Sequence, residues 1–531
     1  MRILVLGGTG VFGSRLACLL VRDGHQVTIA ARHMTAAMPL AEQLGCQAVQ
    51  MDREGDLQAL TGYEVLVDAA GPFHAYGPDP YRLPRAAIAS GLHYLDLSDN
   101  AAFCAGITVL ATQATEAGRC VISGLSSVPA LSSAAVRALA GASRPRLIDS
   151  AILPGNRSPR GLSVMMSILS QTGRPMQVFR GGAWQRTTGW SDRQTYLLPG
   201  GLRRQAWQID VPDLTLFPAH FGAETVLFRA GLELGVMRYG LAALAMLRRW
   251  LPIPVNRPVV RVFKLVADLL APFGSGRGGM SVMVIVDQER RWWRLLAENG
   301  DGPFIPAVPA RALLRRAELP VGAGPALEVI TLAEAEAAMR DLRVTTERVI
   351  EPFMPIMQRV LGPAFETLPE AIRHSHLTAD VSRWHGQASV RRGTSLWSRL
   401  IGWFFGFPAV GEEMPVEVTK TVTDSGETWQ RVFGKSKFHS RLAATPQGLT
   451  ESFGPFTFSL GLRAEGGVLH FAVHAGRLGP LTLPHGLLPI AQAREYVTDS
   501  RLQFDVKLHA PLTGDLLVHY QGTLTPMTKD N

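Results

Sequence analysis

The sequence predicts an α/β protein: a doubly wound parallel sheet, then an α+β region, then an antiparallel β-rich domain. Three observations carry this. Short apolar runs alternate with helix-length amphipathic segments through residues 1–145, the order that builds parallel sheets. A glycine-punctuated bend, GGTGVFG, joins the first run to the first helical segment. Past Pro415 the helical spacing gives way to alternating polar and apolar residues. With 531 residues, 47% of them hydrophobic, the chain can bury more than one core. The expected division is 1–145, 146–345 and 350–527.

Arg2–Leu6 reads as a strand, too short and too quickly broken by glycine for a signal peptide. Gly7, Gly8, Gly10 and Gly13 punctuate the turn, with Thr9, Val11 and Phe12 between them. Residues 11–21 carry helical spacing until Asp23-Gly24 stops it. The glycines satisfy G-x-x-G-x-x-G from Gly7 and G-x-G-x-x-G from Gly8. Glycine serves a tight turn, and it lets backbone N–H groups approach a pyrophosphate at a helix N-terminus. A bare βα turn also uses glycines; the context selects the dinucleotide reading. Strands are expected at 25–31 (HQVTIAA), 48–51, 64–70 (EVLVDAA) and 93–97, with a sixth before Ser123 and helical patterns between. This is a Rossmann-type arrangement, with residues 7–13 at the cofactor.

The second strand chooses the cofactor. NAD sites place Asp or Glu about 20 residues past the glycines for the ribose 2′-OH, whereas NADP sites remove that charge and supply Arg. Here the positions are Ala30, Ala31 and Arg32, which favours NADP(H) by charge matching. Arg32 also reads as an ordinary exposed arginine. Asp52, after the third strand, reads equally as a contact to the adenine edge or as an exposed turn carboxylate.

Three further stretches, AAGPF (69–73), GLHYLDLS (91–98) and SGLSSVPALSSAAV (123–136), join GGTGVFG in a pattern that resembles the saccharopine dehydrogenase-like reductases. That family's NADP-binding domain has an A-G-P-F turn and a G-x-H-Y-x-D segment at matching distances. The resemblance is strong over about 140 residues. Further on, 298–310 (ENGDGPFIPAVPA) resembles a segment of bacterial members, and the chain from about 350 is similar to an uncharacterised domain that follows such reductases in bacteria. The resemblance implies hydride transfer to a C=N, C=O or activated C=C, but names no substrate, since relatives act on imines of amino acids and polyamines or on lipid and polyketide chains.

Ligands of doubly wound sheets collect beyond the C-terminal strand ends. This selects Ala70, Gly71 and Pro72 for the cofactor and His74, Tyr94 and Asp96 as catalytic candidates. Tyr94 would donate to a developing oxyanion or imine nitrogen, and Asp96 would orient it or the nicotinamide ribose. The competing readings are a core tyrosine and a helix-capping aspartate near Asn100. His74 is the ionisable residue immediately after the A-G-P-F turn, and it also reads as a solvated loop histidine.

The net charge of +9 is scattered, with no basic run or tail, so no nucleic-acid partner is expected. A mild bias towards anionic cofactors or membrane surfaces remains. Cys18, Cys46, Cys104 and Cys120 form no CxxC pair, which fits a reducing cytoplasm. The pairs His374/His376 and His470/His474 lack a completing Cys or carboxylate, so no metal site is expected. No G-x-S-x-G motif supports a hydrolase. Arg157, Arg160 and Arg174 would suit carboxylate recognition, yet their apolar and Trp-rich surroundings point away from a highly charged substrate.

Residues 280–287 (MSVMVIVD) read as a strand and 332–342 as a helix of the α+β substrate or dimerisation domain. Pro352, Pro355 and Pro363 mark a junction. VEVTKTV, TWQRVF, FTFSLGLR, LHFAVH, LQFDVKLH and LLVHY then alternate as antiparallel strands, with Asp424-Ser425-Gly426 as a hairpin turn. Residues 241–251, 259–271 (after a proline break from Pro252) and 396–407 border apolar helical faces with Arg, Lys and Trp. Such faces read as core or homodimer packing, the favoured reading, or as interfacial helices at the inner membrane, which would make the substrate lipid-like. No apolar run reaches the roughly 18 residues that span a bilayer. The rival to an NADP(H)-dependent reductase of a small-molecule or lipid-like substrate is a non-catalytic sensory protein that binds NADPH and uses its β-rich domain for a lipid or partner.

Overall fold

The computed structural model describes residues 1–55, 57, 60–159, 161–251, 253–423 and 425–527. Arg160, Pro252 and Asp424, singled out above, lie outside the described residues. The chain divides into two compact units, Met1–Phe179 with Trp184–Glu351, and Arg180–Ala183 with the chain from Pro352 onward.

The first unit opens with strand β1 (Arg2–Leu6), helix α1 (Val11–Arg22), strand β2 (Gln26–Ala31), helix α2 (Met34–Leu44) and strands β3 (Gln47–Gln50), β4 (Val65–Asp68), β5 (His93–Asp96) and β6 (Cys120–Ser123). The sheet runs β3-β2-β1-β4-β5-β6 with every neighbouring pair parallel. The order reverses between β1 and β4, the switch point where such sheets open a ligand crevice. Strands covered by helices on both faces must be apolar throughout. Accordingly Ile3, Leu4, Val5, Val65, Leu66 and Val67 are all buried. A seventh strand, Gly322–Pro325, joins in parallel outside β6, although nothing in GAGP marks it as a strand.

Helix α1 buries Leu16, Ala17, Leu19 and Leu20. The turn Gly302–Ala307, from the stretch that resembles bacterial reductases, packs on α1, with Phe304 5.7 Å from the Arg22 guanidinium. The rest of the unit is a nine-stranded mixed sheet in which Leu147–Leu153 lies parallel to Thr225–Gly231 and antiparallel to Gly278–Val286. Two helices, Gly235–Trp250 and Arg257–Leu270, hold the first two apolar segments noted above. They bury Leu241, Ala245, Val260 and Ala267 around Trp190 and Trp207, yet leave Met246, Trp250, Val262, Leu265 and Leu269 exposed. Each therefore combines a packed edge with an open apolar face. Among the described residues no helix is long and apolar enough to cross a membrane.

In the second unit the antiparallel sheet begins at Val381, earlier than the alternation past Pro415 suggests, and it closes into a barrel. Ten strands, from Val381–Arg392 to Leu516–Pro526, pair in chain order, and the first pairs with the last through partners such as Val390 and Tyr520. Closure removes the exposed edges that an open sheet would leave.

Candidate cofactor site

The bend after β1 is built from backbone. Gly7 adopts φ +71°, donates its N–H to Ala30 O in β2 at 3.0 Å and accepts from the Gly10 N–H at 2.9 Å. A Cβ on Gly7 would lie 2.7 Å from Ala70 Cα, so the loop abuts the end of β4 with no space for a side chain. A Cβ on Gly13 would strike the Gly7 carbonyl, which lets α1 start directly against the turn. Gly10 is the N-cap of α1 and makes no side-chain hydrogen bond, and no acidic residue occupies the first turn. The first N–H groups of α1, around Val11, Phe12 and Gly13, are left for a ligand at the positive end of the helix dipole. That is an anion site.

Beyond β2, Arg32 is exposed, and its carbonyl accepts from Gln50 Nε2 at 3.1 Å. Helix α2 starts at Met34 with His33 as an N-cap that makes no side-chain hydrogen bond, again with no acid in the first turn. A guanidinium and a second uncapped helix start thus stand within two residues of each other. The sequence signal for this second feature was the absence of carboxylates from 30 to 37. Asp52 is exposed, and its Oδ1 accepts from the Glu54 N–H at 3.2 Å, the geometry of a turn carboxylate.

The turn after β4 is fixed by residues the sequence reading missed. Asp68, wholly buried, accepts from the Ala70 N–H at 2.9 Å, the Tyr76 hydroxyl at 2.8 Å and the Tyr94 hydroxyl at 3.4 Å. Burial raises its carboxyl above the usual range, and these hydrogen bonds oppose the rise. Arg53 donates to Ala70 O at 3.1 Å and lies 3.6 Å from the centre of the Tyr76 ring. Half-buried Ala70, Gly71 and Pro72 are thereby held from both sides, whereas His74 is exposed.

Tyr94 and Asp96 are each 0% exposed. Side-chain alternation turns Tyr94 to the same face as Leu4, Leu66 and Val121, where Leu83 and Ile107 cover it. It presents no hydroxyl to an open cleft; it is a packing residue whose hydroxyl holds Asp68. Asp96 does not cap the following helix, since Asn100 accepts from the Phe103 N–H there. Instead Asp96 Oδ1 accepts from the Ser98 N–H, the Gly124 N–H and the Ser123 hydroxyl at 2.8–2.9 Å, and its Oδ2 has no partner among the described residues. Burial pushes this carboxyl up to about 7. Asp68 and Asp96 end adjacent strands in register. Two acids closing neighbouring apolar strands, VLVD and HYLD, were the available sequence signal. Among the described residues no group of three or more His, Cys, Asp or Glu is arranged to hold a metal ion.

A parallel sheet with this strand order, an uncapped helix behind a glycine turn and no acid ending the second strand define a dinucleotide-binding domain suited to NADP. Residues 3–124 match the family described as Saccharopine dehydrogenase NADP binding domain, and 368–524 match Domain of unknown function (DUF4166). The first unit therefore carries a saccharopine dehydrogenase-type NADP-binding domain at its N-terminus. Among solved structures the chain is similar to saccharopine dehydrogenase (L-Glu forming) from Saccharomyces cerevisiae, at 13% identity and TM-score 0.44 over 66% of this chain and 99% of that one. It is also similar to the TT0495 protein from Thermus thermophilus, at 26% identity and TM-score 0.15, over 18% of this chain and 54% of that one. A third, AtPrR2 with NADP+ and (+)pinoresinol, aligns at 24% identity and TM-score 0.16 over 18% and 35%. No curated protein matches the sequence.

Proposed function

We propose that the protein is an NADP(H)-dependent oxidoreductase that transfers hydride to a C=N, C=O or activated C=C bond. The observation that carries this is the pairing of the uncapped α1 start behind residues 7–13 with Arg32 and the uncapped α2 start beyond β2. The first suits a pyrophosphate and the second a 2′-phosphate. His74 is the exposed ionisable group beside the turn at Gly71 and Pro72, and is the residue we assign to proton exchange with the substrate. The substrate is apolar or lipid-like, given the open apolar faces of Gly235–Trp250 and Arg257–Leu270. Oxidation of NADPH by a panel of cyclic imines, keto acids and enoyl thioesters tests the reading: turnover with one class, slowed in His74→Ala, supports it. A second reading, a non-catalytic NADPH-binding protein, is favoured by the complete burial of Tyr94 and Asp96. NADPH binding with no turnover across the panel would select it.

A further inference from the structure

The barrel of the second unit is hollow. Its strands alternate apolar-in and polar-out: Val416 and Val418 face inward between Glu417 and Thr419, and Leu502 and Phe504 between Gln503 and Asp505. This is the reverse of a barrel that spans a membrane, whose outer face is apolar. The interior is not filled by these side chains. They enclose a cavity of about 610 Å3 lined by rings including Trp384, Trp429, Phe433, Phe458, Phe504 and Tyr520. Native interiors pack with few voids larger than a water molecule. A mostly apolar cavity of this size with a few polar groups is the form of a small-molecule site, and wide barrels enclose such sites.

The two ends of the barrel differ. One is plugged by Ile356–Leu361 and Glu370–His376, which drive Ile356, Met357 and Ile372 into the core. At this floor Lys420 Nζ donates to Ser375 O at 2.8 Å, and His376 Nε2 lies 2.6 Å from Glu495. Higher in the wall Arg431 donates to the Ser440 hydroxyl at 2.9 Å and to Glu451 at 3.2 Å. Trp384 Nε1, also buried in the wall, has no hydrogen-bond partner among the described residues.

The other end is roofed by the helix Leu396–Phe404, inserted between the first two strands. Ile401 and Phe405 line the cavity, and Phe405 packs on Phe456 with ring centres 5.3 Å apart. The rim of the roof is bare: Leu396 is 83% exposed and Trp403, which also borders the cavity, 79%, beside exposed Arg391 and Arg399. The other connections at this same end add Leu481, Ile490 and Leu512, all exposed. Exposed Glu412 and Glu413 lie there too. Tryptophan and arginine around bare aliphatic side chains are the composition of a surface that settles at the lipid headgroup level.

We propose that the C-terminal barrel binds the aliphatic chain of a long-chain fatty-acyl amphiphile, taken up from a lipid surface through the end roofed by Leu396–Phe404. The tail fills the aromatic cavity, and the apolar rim removes the water barrier between bilayer and mouth. The site is contained in the second unit and stands apart from the oxidoreductase reading.

The test uses the full-length protein and cis-parinaric acid, a fluorescent fatty acid. Saturable binding is expected. Ala493→Trp, which adds a ring inside the cavity, should weaken it by about tenfold or more, in keeping with the cost of overfilling a site. Gln492→Trp, on the outer face of the same strand, should not. Saturated acids of increasing length should displace the probe about fourfold better per added methylene until the cavity is full. This series in the unaltered protein decides the matter even where a variant does not fold. No saturable binding, or no dependence on chain length, overturns the site. In a second arm, vesicles of phosphatidylcholine and phosphatidylglycerol carry a pyrene-acyl phospholipid. Transfer to the protein, lost in Leu396→Glu/Leu512→Glu, two exposed rim positions outside the cavity lining, while parinaric acid still binds, is the expected result. Binding of the free acid with no transfer from vesicles overturns uptake from a lipid surface.

Discussion

Gly13→Ala probes the junction on which the cofactor site depends. An added Cβ would lie 3.0 Å from both Gly7 C and Gly8 Cα and nearer still to the Gly7 carbonyl oxygen. All three contacts are backbone, so no side chain can swing aside and α1 must lift from the turn. Overpacking of this kind costs about 1–3 kcal/mol, offset by about 1 kcal/mol from replacing glycine within a helix. The net stability loss is small, whereas the binding loss is not. Moving the first-turn N–H groups off the pyrophosphate removes a charge-assisted hydrogen bond, about 1.5–3 kcal/mol, or roughly 10- to 150-fold in Kd. Titration of NADPH fluorescence, run beside thermal unfolding, separates the two effects. Affinity should fall by that factor while Tm moves by only about a few degrees. A variant that binds NADPH within about twofold of the unaltered protein would refute the cradle.

Other outcomes follow from buried charges in the first unit. Arg311, 2% exposed, donates to both Asp23 oxygens at 2.7–2.9 Å and ties the end of α1 to Asp341; Arg311→Met should cost about 3 kcal/mol in denaturant melts, the lower end for a broken buried pair because Arg315 still holds Asp23. Burial raises the Asp23 carboxyl, but hydrogen bonds from Arg315 and Arg311 outweigh it and hold it well below the usual carboxylate range. The stability it adds is therefore present above about pH 4 and lost as pH falls further, so Asp23→Asn should flatten the acid limb of a Tm-against-pH curve; an unchanged acid limb would exclude the pair as its source. Asp96 works in the opposite direction: with its carboxyl pushed up to about 7 by burial, the folded state holds a proton that the unfolded state releases from about pH 4 upward. Stability should decline between those values, and Asp96→Asn, which resembles the protonated acid, should remove the decline.

Much of the first sheet could be read locally, because a parallel strand buried on both faces is a short apolar run and each helix between strands carries its own spacing. GGTGVFG and AAGPF stood out because a helix start and a neighbouring strand end approach too closely for side chains, a demand met by Gly7 against Ala70. Gly322–Pro325 was illegible: its pairing with Cys120–Ser123 spans about two hundred residues, and tertiary context overrides a sequence as poor in β-formers as GAGP. The barrel shows the same division. Alternation announced its strands, but closure rests on the pairing of Val390 with Tyr520, which no local pattern encodes. At the site, the sequence shows that Tyr94 stands at a strand end, whereas the face it points to decides its role. Asp68 is hidden by the apolar strand around it, yet a lone acid in such a run is itself a signal, since it must find hydrogen bonds or take up a proton.

The central claim is that the first unit holds NADP(H) rather than NAD(H), and paired titrations of NADPH and NADH against the unaltered protein and Arg32→Ala test it most directly. A guanidinium contact to the 2′-phosphate contributes about 1.5–3 kcal/mol, so NADPH should bind roughly 10- to 150-fold more tightly than NADH. Arg32→Ala should lose most of that margin through weaker NADPH binding, with its NADH affinity unchanged. Equal affinity of the unaltered protein for the two cofactors would contradict the assignment.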